Sequence, residues 1–159
     1  MATRTGLRRK VPWFGVLRRA FFDHVGRESE VAWARGVVDA LPRVLSHNDL
    51  VPSNLVARGA APADPVFVDI GSMGRNRAGA DLHTFAGRDL EGERPGNGGG
   101  FFARVSDEYA ELMGLNPGAV RISAHLYAAS RALNRAVNRG SQAPFAQAEA
   151  HVTAALGYL

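Results

Sequence analysis

Between Pro42 and Asp81 the chain abandons the helical spacing of apolar residues that governs it on either side, and this interruption constrains the fold more than any other feature. Upstream, Val31, Ala34, Val37, Val38 and Leu41 recur at three- and four-residue intervals, as in a helix with one buried face; Ser29 is its expected cap and Pro42 its stop. Downstream, residues 101–113, 117–137 and 143–156 read as helices, with Leu126, Leu133 and Val137 on one core face. In between lie three short apolar or β-branched runs, 44–46, 54–57 and 66–70, the last two joined by a turn-rich connector. The expected fold class is α+β, mostly helical, with one small antiparallel hairpin preceded by a polar loop. Residues 71–80, with three glycines and two arginines, are expected to form a loop over the site.

A chain of 159 residues with 46% hydrophobic content can build one core but has no room for a second full domain. Residues 1–12 carry charge without periodicity and read as a basic N-terminal arm; Trp13, Leu17, Phe21 and Val25 then recur at helical spacing, opening a domain that runs over 13–159. Cysteine is absent, which excludes disulfides, thiolate metal sites and thiol nucleophiles. No apolar stretch approaches the roughly 20 residues of a membrane span, so no span is expected and a cytoplasmic location is. The net charge of +4 comes almost wholly from arginine, because Lys10 is the only lysine. The aromatics near the basic stripe repeat as a buried helical face does, so nucleic acid is not an expected partner.

The interruption also holds the chemistry. Residues 47–54 read His-Asn-Asp-Leu-Val-Pro-Ser-Asn, and the third apolar run delivers Asp69 fifteen residues after Asn54. An unpaired buried carboxylate is costly, so acids at the ends of adjoining strands call for a cation or hydrogen-bond donors between them. The Gly98-Gly99-Gly100 run is no phosphate cradle, since no strand leads into it and no lysine follows.

The spacing of His47, Asp49, Leu50, Pro52 and Asn54, followed by an apolar run ending in Asp69 and by the pair Asp81-Leu82, resembles the aminoglycoside phosphotransferase and choline kinase group of the protein-kinase-like superfamily. The matching stretch, about 44–86, is roughly a quarter of the chain. The resemblance implies a C-terminal kinase-like lobe whose small hairpin carries the catalytic and metal loops. It implies that Asp49 is the catalytic residue that orients or deprotonates a substrate hydroxyl, and that Asn54 and Asp69 hold the magnesium that accompanies ATP. It implies supporting roles for His47, which ties the catalytic loop to the metal-binding segment, and Asp81, which braces that loop. The reaction so implied is transfer of the ATP γ-phosphoryl group to a hydroxylated small molecule. Acceptor sites in this group are often acidic, and Asp89, Glu91, Glu93, Asp107, Glu108 and Glu111 are the acids available after the metal loop.

One departure is large. The nucleotide-binding lobe of that superfamily, a sheet with a phosphate-covering loop and a lysine, has no counterpart here: about 43 helix-like residues precede the loop, and Lys10 follows no strand. The chain reads as a C-terminal lobe alone. It is expected to expose an apolar face where the other lobe packs, and to dimerise or take a complementing lobe from another polypeptide. An inactive binding or interaction module is the alternative. A third reading, a two-histidine, one-carboxylate iron oxygenase site built from His47, Asp49 and one of His83, His125 or His151, leaves Asn54, Asp69 and Asp81 without roles.

Overall fold

A computed structural model of the chain describes residues 26–59, 64–90, 100–139 and 143–159. The basic arm, the helix expected from Trp13 and the glycine run lie outside or at the border of these residues. The described architecture is mostly helical α+β. Helix α1 spans Glu28–Ala40, β1 Arg43–Ser46, β2 Leu55–Arg58, β3 Asp64–Phe67 and β4 Gly74–Arg77; helices α2 to α5 follow at His83–Leu90, Phe101–Met113, Pro117–Arg139 and Ala143–Leu156. Among the described residues no helix is long and apolar enough to cross a membrane.

Helix α4 organises the core because both of its faces are buried. On one side Ile122, Ala129 and Ala132 meet Val31 and Ala34 of α1 and Ala148, Val152 and Ala155 of α5. On the other, Val120 and Ala124 meet Leu82 and Ala86 at the start of α2 and Phe102 and Ala110 of α3. Alanine at so many contact points keeps the helix axes close and costs little side-chain entropy. Leu126 and Leu133 pack against the first of these clusters only partly buried, so the expected leucine face is in fact an alanine seam flanked by leucines. The side chain of Val137 lies outside the described residues.

The strands form two antiparallel pairs. In one, β2 pairs with β3, Leu55 opposite Phe67 and Arg58 opposite Asp64, which is the expected hairpin. In the other, β1 pairs with β4, Arg43 opposite Arg77 and Ser46 opposite Gly74. The second pair corrects the reading of 71–80 as a loop: Gly-Arg-Asn-Arg carries no alternating apolar pattern, and it becomes a strand because β1 offers it a backbone partner. The third run is also shorter than expected. Strand β3 stops at Phe67, and Asp69 sits beyond it with a left-handed φ of 56°, heading a 3-10 turn over Ile70–Ser72. Helix α1 begins at Glu28 with Arg27 at the cap and no side-chain capping bond, so Ser29 is inside the helix rather than at its cap.

The described residues do not cover the hairpin. Leu55, Val56, Val66, Phe67 and Val68 are all exposed, joined by Leu45 at 70% and Ile70 at 63% of full exposure. A globular domain seldom leaves so many large apolar side chains exposed.

Candidate functional site

The site is a loop pinned at both ends. Strand β1 buries Ser46 and releases the chain at His47; the next residue, Asn48, takes a left-handed φ of 62°. Asparagine is among the few side chains that tolerate this region, which gives a physical reason for its place between His47 and Asp49. The backbone N–H groups of His47 and Asn48 each donate to one oxygen of the Asp81 carboxylate, at 3.0 and 2.8 Å. Asp81 sits in the 3-10 turn Ala80–Leu82 that leads into α2. That turn can lie against α4 only because residue 79 is glycine: its φ is +86°, and a Cβ there would stand 2.7 Å from the Val120 carbonyl oxygen.

His47 turns its ring to the other side. It is 7% exposed, its Nε2 lies 2.9 Å from the Val68 carbonyl oxygen, and its Nδ1 is buried with no partner among the described residues. A carbonyl can only accept, so Nε2 carries the proton. This bond fastens the Asp49 loop to the residue immediately before Asp69. Residues at and beyond the end of the β1–β4 pair add further ties: Asn48 Nδ2 donates to the Ser72 carbonyl at 2.9 Å, Ser72 Oγ to the His47 carbonyl at 3.0 Å, and Asn76 Nδ2 to Asn48 Oδ1 at 3.2 Å.

Asp49 and Asn54 stand together. The Asn54 side-chain nitrogen donates to the Asp49 backbone carbonyl at 2.9 Å and faces Asp49 Oδ2 at 3.4 Å, while the Asn54 backbone carbonyl accepts from the Val68 backbone N–H at 2.9 Å. The other oxygen of Asp49 accepts from Arg131 of α4 at 3.1 Å, and the same guanidinium bonds the Asn48 carbonyl. The structure thus brings His47, Asp49, Asn54 and Asp81 into one bonded unit and joins Asp69 to it through Val68. Asp69 itself is exposed.

Sequence reading missed Arg131, Ser72, Asn76 and Tyr127, whose hydroxyl lies 3.5 Å from Asn48 Oδ1. No local signal marks them; Arg131 is 82 residues from Asp49. Of the acids expected near an acceptor site, those of α3 have described side chains. Asp107, Glu108 and Glu111 are exposed on α3, where Asp107 pairs with Arg121 at 2.6 Å, and Glu91, Glu93 and the side chain of Asp89 lie outside the described residues.

The histidines do not assemble an iron site. His125 and His151 face each other inside the helical core, Nδ1 to Nδ1 at 3.0 Å. Burial, reinforced by His151, lowers the pKa of His125 to about 3; burial, then the charge of Arg135, lowers that of His151 to about 4. His83, buried against Tyr127, is also shifted down, first by burial and then by the charge of Arg131. Among the described residues no three His, Cys, Asp or Glu side chains are grouped to hold a metal ion, so the two-histidine, one-carboxylate arrangement is not formed. Set against family models, curated proteins and solved structures, the chain matches none.

Proposed function

We propose that this chain is the C-terminal lobe of a protein-kinase-like small-molecule phosphotransferase. Asp49 faces the acceptor hydroxyl, and Asn54 and Asp69 hold the magnesium of ATP. The observation that carries this reading is the double tether of the 47–49 loop. Asp81 takes two adjacent backbone N–H groups, and His47 reaches the carbonyl that precedes Asp69, across separations of 34 and 21 residues. A catalytic loop in phosphoryl transfer does little covalent chemistry and must above all be held still, and these bonds do that.

The donor set suits magnesium. One exposed carboxylate and one amide oxygen are hard ligands, and Mg2+ commonly takes one or two protein oxygens and completes its shell with phosphate and water. When bound, the ion neutralises phosphate charge as the terminal group departs. Asp49 accepts the hydroxyl proton while the new O–P bond forms and the bond between the γ-phosphorus and the β,γ-bridging oxygen breaks; the proton then passes to solvent. A strand-rich half with a lysine, supplied in the same polypeptide or by another, covers the apolar face of Leu45, Phe67 and Ile70 and completes the cleft.

One observation favours a lobe that binds without transferring: the Arg131 guanidinium already occupies an oxygen of Asp49. Thermal unfolding with ATP and magnesium tests the nucleotide site. A magnesium-dependent rise in melting temperature that is lost in Asp69→Ala is expected; no shift at about millimolar nucleotide contradicts the proposal.

A further inference from the structure

Beside Asp49 lies a cavity of about 310 Å³ bounded by α2, α4 and α5. Its wall follows from helix geometry. Ala128, Arg131 and Arg135 fall at three- and four-residue steps on one face of α4, so the small residue opens the floor and the two arginines stand one turn apart. Helix α2 adds Arg88 beside His83, and α5 adds His151. Among the described residues, the charged groups lining the cavity are the guanidiniums of Arg88, Arg131 and Arg135 and the Asp49 carboxylate, which leaves its wall net positive. The lining histidines do not add to this charge near neutral pH, because burial holds His83 low and His151 at about 4; Arg131 and Arg135 respectively push them further down. No acid of α3 lines the cavity.

We propose that this cavity receives an anionic acceptor, a small hydroxylated molecule bearing a carboxylate or a phosphate ester, with its anionic group toward Arg88, Arg131 and Arg135 and its hydroxyl toward Asp49. The proposal rests on the phosphotransferase reading of Asp49 and deepens it. Guanidinium forks match carboxylate and phosphate oxygens two at a time, whereas an ammonium-bearing amino sugar or amino alcohol meets like charge on three sides. The volume stands at the low end of small-molecule pockets, about 300–1,000 Å³, and suits an acceptor of a few carbons. The anionic end also gives Arg131 a second partner, drawing it off Asp49 as the acceptor enters and leaving the carboxylate to the hydroxyl.

Calorimetric titration of the whole chain, without nucleotide, tests this with glycerate, glycerol 3-phosphate, glycerol and ethanolamine as probes. One or both anions should bind at least about ten-fold more tightly than glycerol and ethanolamine, the better of the two identifying the anionic group. Arg88→Gln and Arg135→Gln should each weaken that binding about ten-fold. Because Arg135 also bonds Gln147 and Arg88 has an interaction of its own, both variants are checked by melting without ligand. Ethanolamine binding as tightly as the anions, no anion binding at about 10 mM, or anion binding unchanged in Arg88→Gln would each overturn the proposal. With nucleotide absent from the cell, these failures leave the magnesium and ATP response of Asp69 standing. Anion binding in a protein with no such response overturns the assignment of the cavity as an acceptor site.

Discussion

Replacing Asp81 isolates the brace on which the site depends. Its two oxygens accept the backbone N–H groups of His47 and Asn48 at 3.0 and 2.8 Å, from a half-buried position. Hydrogen bonds to a charged acceptor contribute about 1.5–3 kcal/mol each, and water can reach the vacated donors, so the lower figure applies and Asp81→Ala should cost about 3 kcal/mol. Asp81→Asn keeps one acceptor oxygen and turns an NH2 group toward the other N–H, so it should cost about half as much or slightly more. Equilibrium urea unfolding reads this as a fall in midpoint with unchanged slope, and thermal unfolding as a drop of about 6–12 °C for a chain of this size. Amide exchange at residues 47 and 48 should accelerate in both variants more than exchange in α5. A stability change below about 0.5 kcal/mol in Asp81→Ala, with those amides still protected, would refute the brace.

The buried His125–His151 pair makes stability depend on pH. Both rings have pKa values depressed to about 3 and 4, so the unfolded chain binds more protons as pH falls below the ordinary histidine value. Stability is full above about pH 6.5 and is lost on acidification; between pH 7 and 5 the loss is about 2 kcal/mol per ring, about 4 for the pair. Urea midpoints across that range should fall with pH in the wild type and markedly less in His125→Phe/His151→Leu, where buried His83 keeps a depressed pKa, and equal pH slopes in the two proteins would contradict it. Gly79→Ala should destabilise by about 2 kcal/mol or more, since the new methyl meets the Val120 carbonyl and φ is +86°. An unchanged urea midpoint would show that the turn carrying Asp81 does not press on α4.

How far the sequence announces this structure varies with the range of the interactions involved. Helices α3 and α5 run over the residues that their apolar spacing predicts, because that signal is local; Gly100 and Gly114, both at positive φ, bracket α3. The hairpin of β2 and β3 was legible from its apolar runs and the turn-rich connector between them. Strand β4 was not, because Gly-Arg-Asn-Arg becomes extended only by pairing with β1, about thirty residues earlier. The left-handed turn at Asp69 ended a run that alternation alone would have carried through Ile70. At the site, His47, Asp49, Asn54 and Asp81 could be picked out by type and spacing, whereas Arg131 could not: it reaches Asp49 because α4 crosses beneath the loop. The sign of charge around Asp49 was illegible for the same reason. Helix α3 turns Phe102, Ser106 and Ala110 inward, which leaves its acids in solvent, while Arg131 and Arg135 of α4 line the cavity.

The central claim is that Asn54 and Asp69 together hold a divalent cation and its nucleotide next to Asp49. Paramagnetic broadening tests it most directly: ATP with substoichiometric manganese, standing in for magnesium, is added to isotopically labelled protein, and amide signals are followed by NMR. Selective broadening at residues 54 and 69–71, with α5 unaffected and the effect lost in Asp69→Ala, is the predicted result. Broadening centred instead on the exposed acids Glu108 and Glu111 of α3, or spread evenly over the surface, would contradict it.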